Sequence, residues 1–493
     1  MKYNMLVYIF VVFTIFAGSI LPNVTISAKE DIVLFEDEPE EGDENKQETH
    51  IIEGVPYVSQ ETDFYCTYAC PTMIFKYYGI NTSLYEILFN SGVGYSLAHS
   101  HPKLKRFLLS CTGTSNWDSD RSFLASLYGL SYEENRSLNN AFSEEEHWNK
   151  YWTKVKKNIS NDIPVITVTD PVYLTSIRNC LKEGLNIPEW IWSNTPEFIW
   201  DMFPCTMSHM IVIVGFNESD GTICFNDPSA AIFGYPEYGL YAWMNLTDFR
   251  EAMDRFSKNQ PYYSYVTGAY KNISKKPLEK TSRFIKARQR NIERMKGNIS
   301  AYDDYIVEKW NCSNLGMNAL KELEKNLGNG IKNRITTIFT YKIISAGYMF
   351  SLAYKIYYLF DKFFPFIVDL SDYQSQMNYC YQLAVEKQDI SQYLWDAQYV
   401  FNDLNISKIC RRDAILLSYE AENFTKLASN FSKFLEWGML MPLPYAFSIT
   451  KNMADITGKM ISIEREIIGE TNYRDRETFS PTMSNESLRP DDF

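Results

Sequence analysis

The chain is poor in histidine, with five in 493 residues, and no two of its cysteines are spaced as Cys-x-x-Cys. The missing pairs exclude the common zinc ribbons and fingers. His99 and His101 come nearest to a metal pair, and no third ligand stands near them in sequence. No metal and no other cofactor is expected. Positive charge is also short: 48 Lys and Arg against 61 Asp and Glu give a net charge of −13. No Lys/Arg stripe with interleaved aromatics breaks that balance, which excludes nucleic acid as a partner. The nine cysteines are too widely and irregularly spaced for a small disulfide scaffold, and their odd number leaves at least one thiol unpaired. Long apolar runs are scarce. Residues 343–360 form one, with Lys355 inside and Lys342, Asp361 and Lys362 beside it. Those charges favour a buried bundle helix over a membrane span.

Apolar residues make up 45% of the chain, enough for sizeable cores, and its length exceeds one ordinary core. Residues 1–28 read as an export signal: Lys2, an apolar run from Met5 to Leu21, then small residues. An uncleaved N-terminal anchor is the alternative, and the only membrane attachment expected. Thirteen Asn-x-Ser/Thr sequons, among them Asn81, Asn158, Asn423 and Asn430, point the same way, to a secreted or surface-held glycoprotein. Residues 29–50 are acidic and read as a solvated linker. Residues 51–270 mix β-branched runs, turn signals and helical stretches, which predicts an α+β domain. From residue 271 the period changes. Ile292, Met295, Ile299, Tyr302, Ile306 and Trp310 recur in steps of three and four, as do Met317, Leu320, Leu323 and Leu327. An all-helical domain over 271–475 follows, then a flexible tail over 476–493.

Chemistry concentrates in the first domain. Cys66 opens a stretch that reads as a buried helix ending at Gly79. A thiol attacks as thiolate, and a helix N-terminus and a neighbouring imidazolium both favour that form. Gln60, six residues earlier, can donate its amide to a developing oxyanion together with the Cys66 N–H. His209 begins an apolar strand that ends in Gly215. The turn at 217–221 and a second strand then lead to Asp227. Such a hairpin carries a base and its orienting carboxylate to one end of a sheet. Asn226 is the rival orienter, and Cys70, one turn along the helix, is the rival thiol. A nucleophile, a base, an orienter and an oxyanion donor are what acyl transfer through a thioester needs, whether to water or to an amine. The same domain without activity, used for binding, would need none of them. The Trp-rich stretch 189–200 either lines a cleft or packs as an insertion.

Gln60-x5-Cys66, Cys70, Met73, Lys76-Tyr77-Tyr78-Gly79, the strand His209 to Gly215 and Asn226-Asp227-Pro228 together resemble the C39-like branch of papain-fold cysteine peptidases. The resemblance covers roughly Val55 to Tyr270. It implies a papain-like fold, with Cys66 as nucleophile, His209 as general base, Asp227 as orienter and Gln60 in the oxyanion hole. It also implies a peptide or acylated small molecule as substrate. Ser91-Gly92-Val93-Gly94, Pro164-Val165, Asp170 and Tyr173-Leu174 are similar to the butirosin-biosynthesis acyltransferase type of the same fold, which transfers an acyl group to an amine. Two departures stand out. Thr67 occupies a position where the peptidases usually have Gly, and Pro71 falls inside the helix, where it removes a hydrogen bond.

Overall fold

The computed structural model describes residues 49–62, 65–100, 108–110, 118–135, 144–188, 192, 209–259, 265–302, 314–325, 370–437 and 443–469. Its elements run β1 (Thr49–Ile51), α1 (Cys66–Tyr77), α2 (Leu84–Ser91), β2 (Ala98–Ser100), β3 (Leu108–Ser110), α3 (Asp118–Leu127), β4 (Leu130–Asn135), α4 (Glu144–Ile159), β5 (Val165–Thr169) and α5 (Thr175–Gly184). They continue with β6 (His209–Asn217), β7 (Thr222–Asn226), β8 (Ala242–Asn245), α6 (Leu246–Asn259), β9 (Thr267–Asn272), α7 (Lys280–Met295), β10 (Asn314–Leu315), α8 (Leu370–Ala397), α9 (Leu404–Trp437) and α10 (Leu443–Ile468). Helices and antiparallel strands coexist, so the class is α+β. No helix among the described residues is long and apolar enough to cross a membrane.

The chain divides into two compact units. The first comprises residues up to Leu84 plus Tyr128–Pro277; the second comprises Tyr85–Leu127 plus Leu278 onward. This differs from a single cut near residue 270, because residues 85–127 join the C-terminal half. The linker ascribed to 29–50 also ends early: Thr49 and His50 belong to β1, and His50 Nε2 meets Asp162 Oδ1 at 2.9 Å.

The first unit is built on one seven-stranded antiparallel sheet in the order β4-β9-β5-β6-β7-β8. β1 pairs with the C-terminal part of β6, where β5 no longer reaches. β6 and β7 form a hairpin within the sheet, and its turn is written locally. Asn217 Oδ1 accepts from the Ser219 N–H at 3.0 Å, and Gly221 takes φ +61°. Gly215 is required for contact: a Cβ there would lie 2.8 Å from the His50 carbonyl of β1. α4 covers the sheet with Trp148, Tyr151, Trp152, Val155 and Ile159, all buried and spaced as one helical face. α1 packs on β6 and is buried from Cys66 to Phe75, as the sequence reading of a buried helix expects. Gly79, at φ +74°, ends it; the amides of Gly79 and Ile80 return to the carbonyls of Lys76 and Phe75.

The second unit is not purely helical. β10, β2 and β3 form a small antiparallel sheet. The run from Ile292 to Trp310 is no continuous helix either: α7 stops at Met295, Gly297 has φ +77°, and a 3-10 turn covers Ile299–Ala301. The main core joins 317–325 with α8, α9 and α10, through Leu320, Leu323, Leu383, Phe424 and Met453 among others. Three sequons lose their candidacy here and in α4. Asn158, Asn423 and Asn430 are buried, so a glycan at any of them is incompatible with the fold. Asn81, Asn135, Asn245, Asn272, Asn298 and Asn405 are exposed. The export segment, the apolar run 343–360 and the tail lie outside the described residues.

Candidate active site

Strand order explains how distant residues meet. β6 starts at His209, whose register partner is Thr169 at the end of β5. β7 runs back along β6 and ends at Asn226, opposite Val212. Asp227 therefore leaves the sheet at the end where His209 enters it. His209 Nε2 donates to Asp227 Oδ1 at 2.7 Å. Asn226, one residue earlier, points the other way: its amide donates to the Val55 carbonyl and accepts from the Tyr241 N–H. The rival orienter is thus occupied in holding the sheet edge.

The Cys66 thiol lies beside the same imidazole and favours its cation. With Nε2 engaged by Asp227, Nδ1 is the ring nitrogen left for sulfur. Cys66 is the first residue of α1, and no side chain caps that helix. First-turn amides of an uncapped helix favour negative charge beside them. Cys66 is not in a disulfide and retains slight exposure, 8%, whereas Cys70 is at 0%. That difference leaves Cys66 as the thiol a substrate can reach.

The electrostatics are those of a buried charged pair. Burial pulls the His209 ring toward neutrality. The Asp227 charge and hydrogen bond outweigh it, Cys66 adds to them, and the imidazolium is held up to about 10. Burial pushes Asp227 the opposite way, toward the neutral acid. The charge and hydrogen bond of His209, with the hydroxyls of Ser176 and Ser229, hold it below the usual carboxylate range.

Two of those donors were not singled out by sequence. Ser229 donates through N–H and Oγ to Asp227 Oδ1, at 2.9 and 2.7 Å. An acid followed two residues later by serine is a recognisable Asx-turn signal. Ser176 Oγ donates to Oδ2 at 2.5 Å from the first turn of α5, 51 residues away in sequence. No local pattern announces it.

Residues 52–238, less than half of the chain, match the family model described as Peptidase_C39 like. This segment belongs to the C39-like family. No curated protein matches the chain. The C39-like match takes in Gln60, Cys66, His209 and Asp227 but stops at Tyr238, before β8, α6 and β9 complete the sheet. At coarse grain the family makes this a cysteine-peptidase-like enzyme.

Gln60 is buried, and its N–H donates to the carbonyl of Pro228, next to Asp227. Its Nε2 donates to the Thr62 carbonyl at 2.8 Å, across a tight loop in which Glu61 takes φ +61°. One of its two amide protons is therefore in use. The remaining candidates are placed as follows. His147 stacks on Tyr265, His99 lies on β2, and Trp192 packs against Tyr173 and Ala252. The rest of the Trp-rich stretch 189–200, and His101, lie outside the described residues. Among the described residues no His, Cys, Asp and Glu gather into a metal-binding group.

Proposed function

We propose that this protein is an exported thiol-dependent hydrolase of papain-like fold that cleaves a peptide or amide bond through an acyl-enzyme on Cys66. The observation that carries the reading is one imidazole held between a slightly exposed thiol at a helix start and a buried, four-times hydrogen-bonded carboxylate. In the reaction the Cys66 thiolate attacks the carbonyl carbon. The Cys66 amide and the free amide proton of Gln60 stabilise the oxyanion. His209, already protonated, gives its proton to the leaving amine, then takes one from water as the thioester is hydrolysed. Asp227 keeps the ring oriented and its cation stable throughout.

The test is alkylation of the full chain with iodoacetamide, with mass mapping of the modified residue. Cys66 is expected to react well ahead of Cys70, Cys180 and Cys224, and His209→Ala is expected to remove that advantage. Labelling of Cys66 no faster than free cysteine would remove the enzyme and leave a binding module. Once a turned-over peptide is found, His209→Ala should lower kcat by roughly 10⁴–10⁶-fold, as loss of a member of a catalytic triad does. Release of free acid in water alone separates hydrolysis from transfer to an amine.

A further inference from the structure

Asp227 is the most enclosed charge of the first unit's site, at 0% exposure. A carboxylate so placed stays ionised only if donors replace water. Its two oxygens are served differently. Oδ1 receives His209 Nε2 and both donors of Ser229, a residue two positions along the same turn, which moves whenever Asp227 moves. Oδ2 receives the Ser176 hydroxyl, which comes from a different element and is itself at 0% exposure. Ser176 is therefore the tie that fixes the carboxylate plane against the rest of the fold.

We propose that Ser176 is a positioning residue: its hydroxyl holds Asp227 ionised and turned so that Oδ1 addresses His209. This rests on the Cys66–His209–Asp227 reading above. Three titratable groups face Asp227: His209 on β6, Cys180 one turn along α5, and Tyr57 on the chain before α1. Burial pushes the Cys180 thiol up to about 12 and raises the Tyr57 phenol further. Neither changes charge on the acid side, so the acid limb of reactivity there reports the Asp227–His209–Cys66 set. Removing the donor on Oδ2 disfavours the charged form of Asp227 and raises its pKa. The imidazolium then loses its counter-charge at a higher pH than in the native site.

The experiment follows the iodoacetamide rate at Cys66 from pH 3.5 to 8 in the full chain, for wild type, Ser176→Ala, Ser176→Thr and Ser176→Cys. Ser176→Ala is expected to move the acid limb up by about one pH unit, the scale of one charge-assisted hydrogen bond, with labelling at the foot of the limb about tenfold slower. Ser176→Thr keeps the hydroxyl and should restore the wild-type limb. Ser176→Cys, a weak donor of similar size, should fall between, and it serves if the alanine variant does not fold. An unmoved limb, or a rate lowered equally at every pH, overturns the proposal, because a role confined to packing would do the latter. Wild-type Cys66 that reacts like free cysteine overturns the catalytic reading as well. A reactive wild type with a shift-free Ser176→Ala overturns this inference alone.

Discussion

Asp227 and His209 are both enclosed, and each keeps its charge because the other does. Their titrations then bound the pH range of the site. His209 is raised in the folded state, so its stabilising contribution is complete below an ordinary histidine pKa of about 6.5 and is lost as pH rises through about 10. Asp227 is lowered, so its contribution is complete above the ordinary aspartate range and is lost as pH falls through its folded value. The site should hold together between these limits. Imidazole ¹⁵N NMR tests the upper one directly, since only five histidines contribute signals. The ring assigned by its loss in His209→Asn should titrate near pH 10. A midpoint near 6.5 would mean that the ring is neutral at physiological pH and that the charged-pair mechanism fails.

At the scale of elements, some features left marks in sequence and others did not. Cys66, Gly79 and the hairpin from His209 to Asp227 were legible because each depends on neighbours in the chain: a helix start, a left-handed stop, a turn. Ser176 and the allegiance of residues 85–127 were not, because both depend on partners far along the chain. The glycine-bearing loop after α2 illustrates the difference. Its resemblance to a family motif drew attention to Gly92 and Gly94, yet what they meet lies on α7 and α8. A Cβ on Gly92 would lie 1.9 Å from Arg294 Nη1, and one on Gly94 would lie 3.2 Å from Ile390. Arg294, buried, reaches the Ser91 carbonyl and Asp120, and Asn291 donates to the Phe89 carbonyl at 2.8 Å. Gly92 also has φ +88°. Gly92→Ala should therefore destabilise the second unit by more than the roughly 1–2 kcal/mol of a left-handed backbone alone, because Arg294 must also move. Denaturant melts of the variant test this; an unchanged midpoint would mean that the loop yields freely.

For the molecule as a whole, the second unit holds its own group of enclosed charges, apart from the chemistry of the first. Lys387 on α8, Glu420 on α9 and Glu464 on α10 are all at 0% exposure. Lys387 Nζ meets Glu420 Oε2 at 2.9 Å and donates to the Gly94 carbonyl at 2.7 Å. Burial, with the charge of Glu420 beside it, raises Glu464 well above the usual carboxylate range. Burial also raises Glu420, against the pull of Lys387. Raised acids stabilise below their unfolded pKa and cease to as pH rises through the folded value. Thermal melts should accordingly show the second unit weakening toward alkaline pH, and Glu464→Gln should flatten that decline. A melting temperature independent of pH from 5 to 9 would contradict it. Lys387→Met, which strands Glu420, should cost roughly 3–5 kcal/mol.

The packing of Tyr85–Leu127 against elements from Leu278 onward has a consequence for synthesis. Phe89 stacks on Phe284, and Leu97 belongs to the core built by α8, α9 and α10. On the ribosome, this early segment emerges long before the helices that bury it. Phe89 must wait, without that partner, while the 195 residues to Phe284 are translated, and that interval is where a nascent copy is most exposed to association with its neighbours.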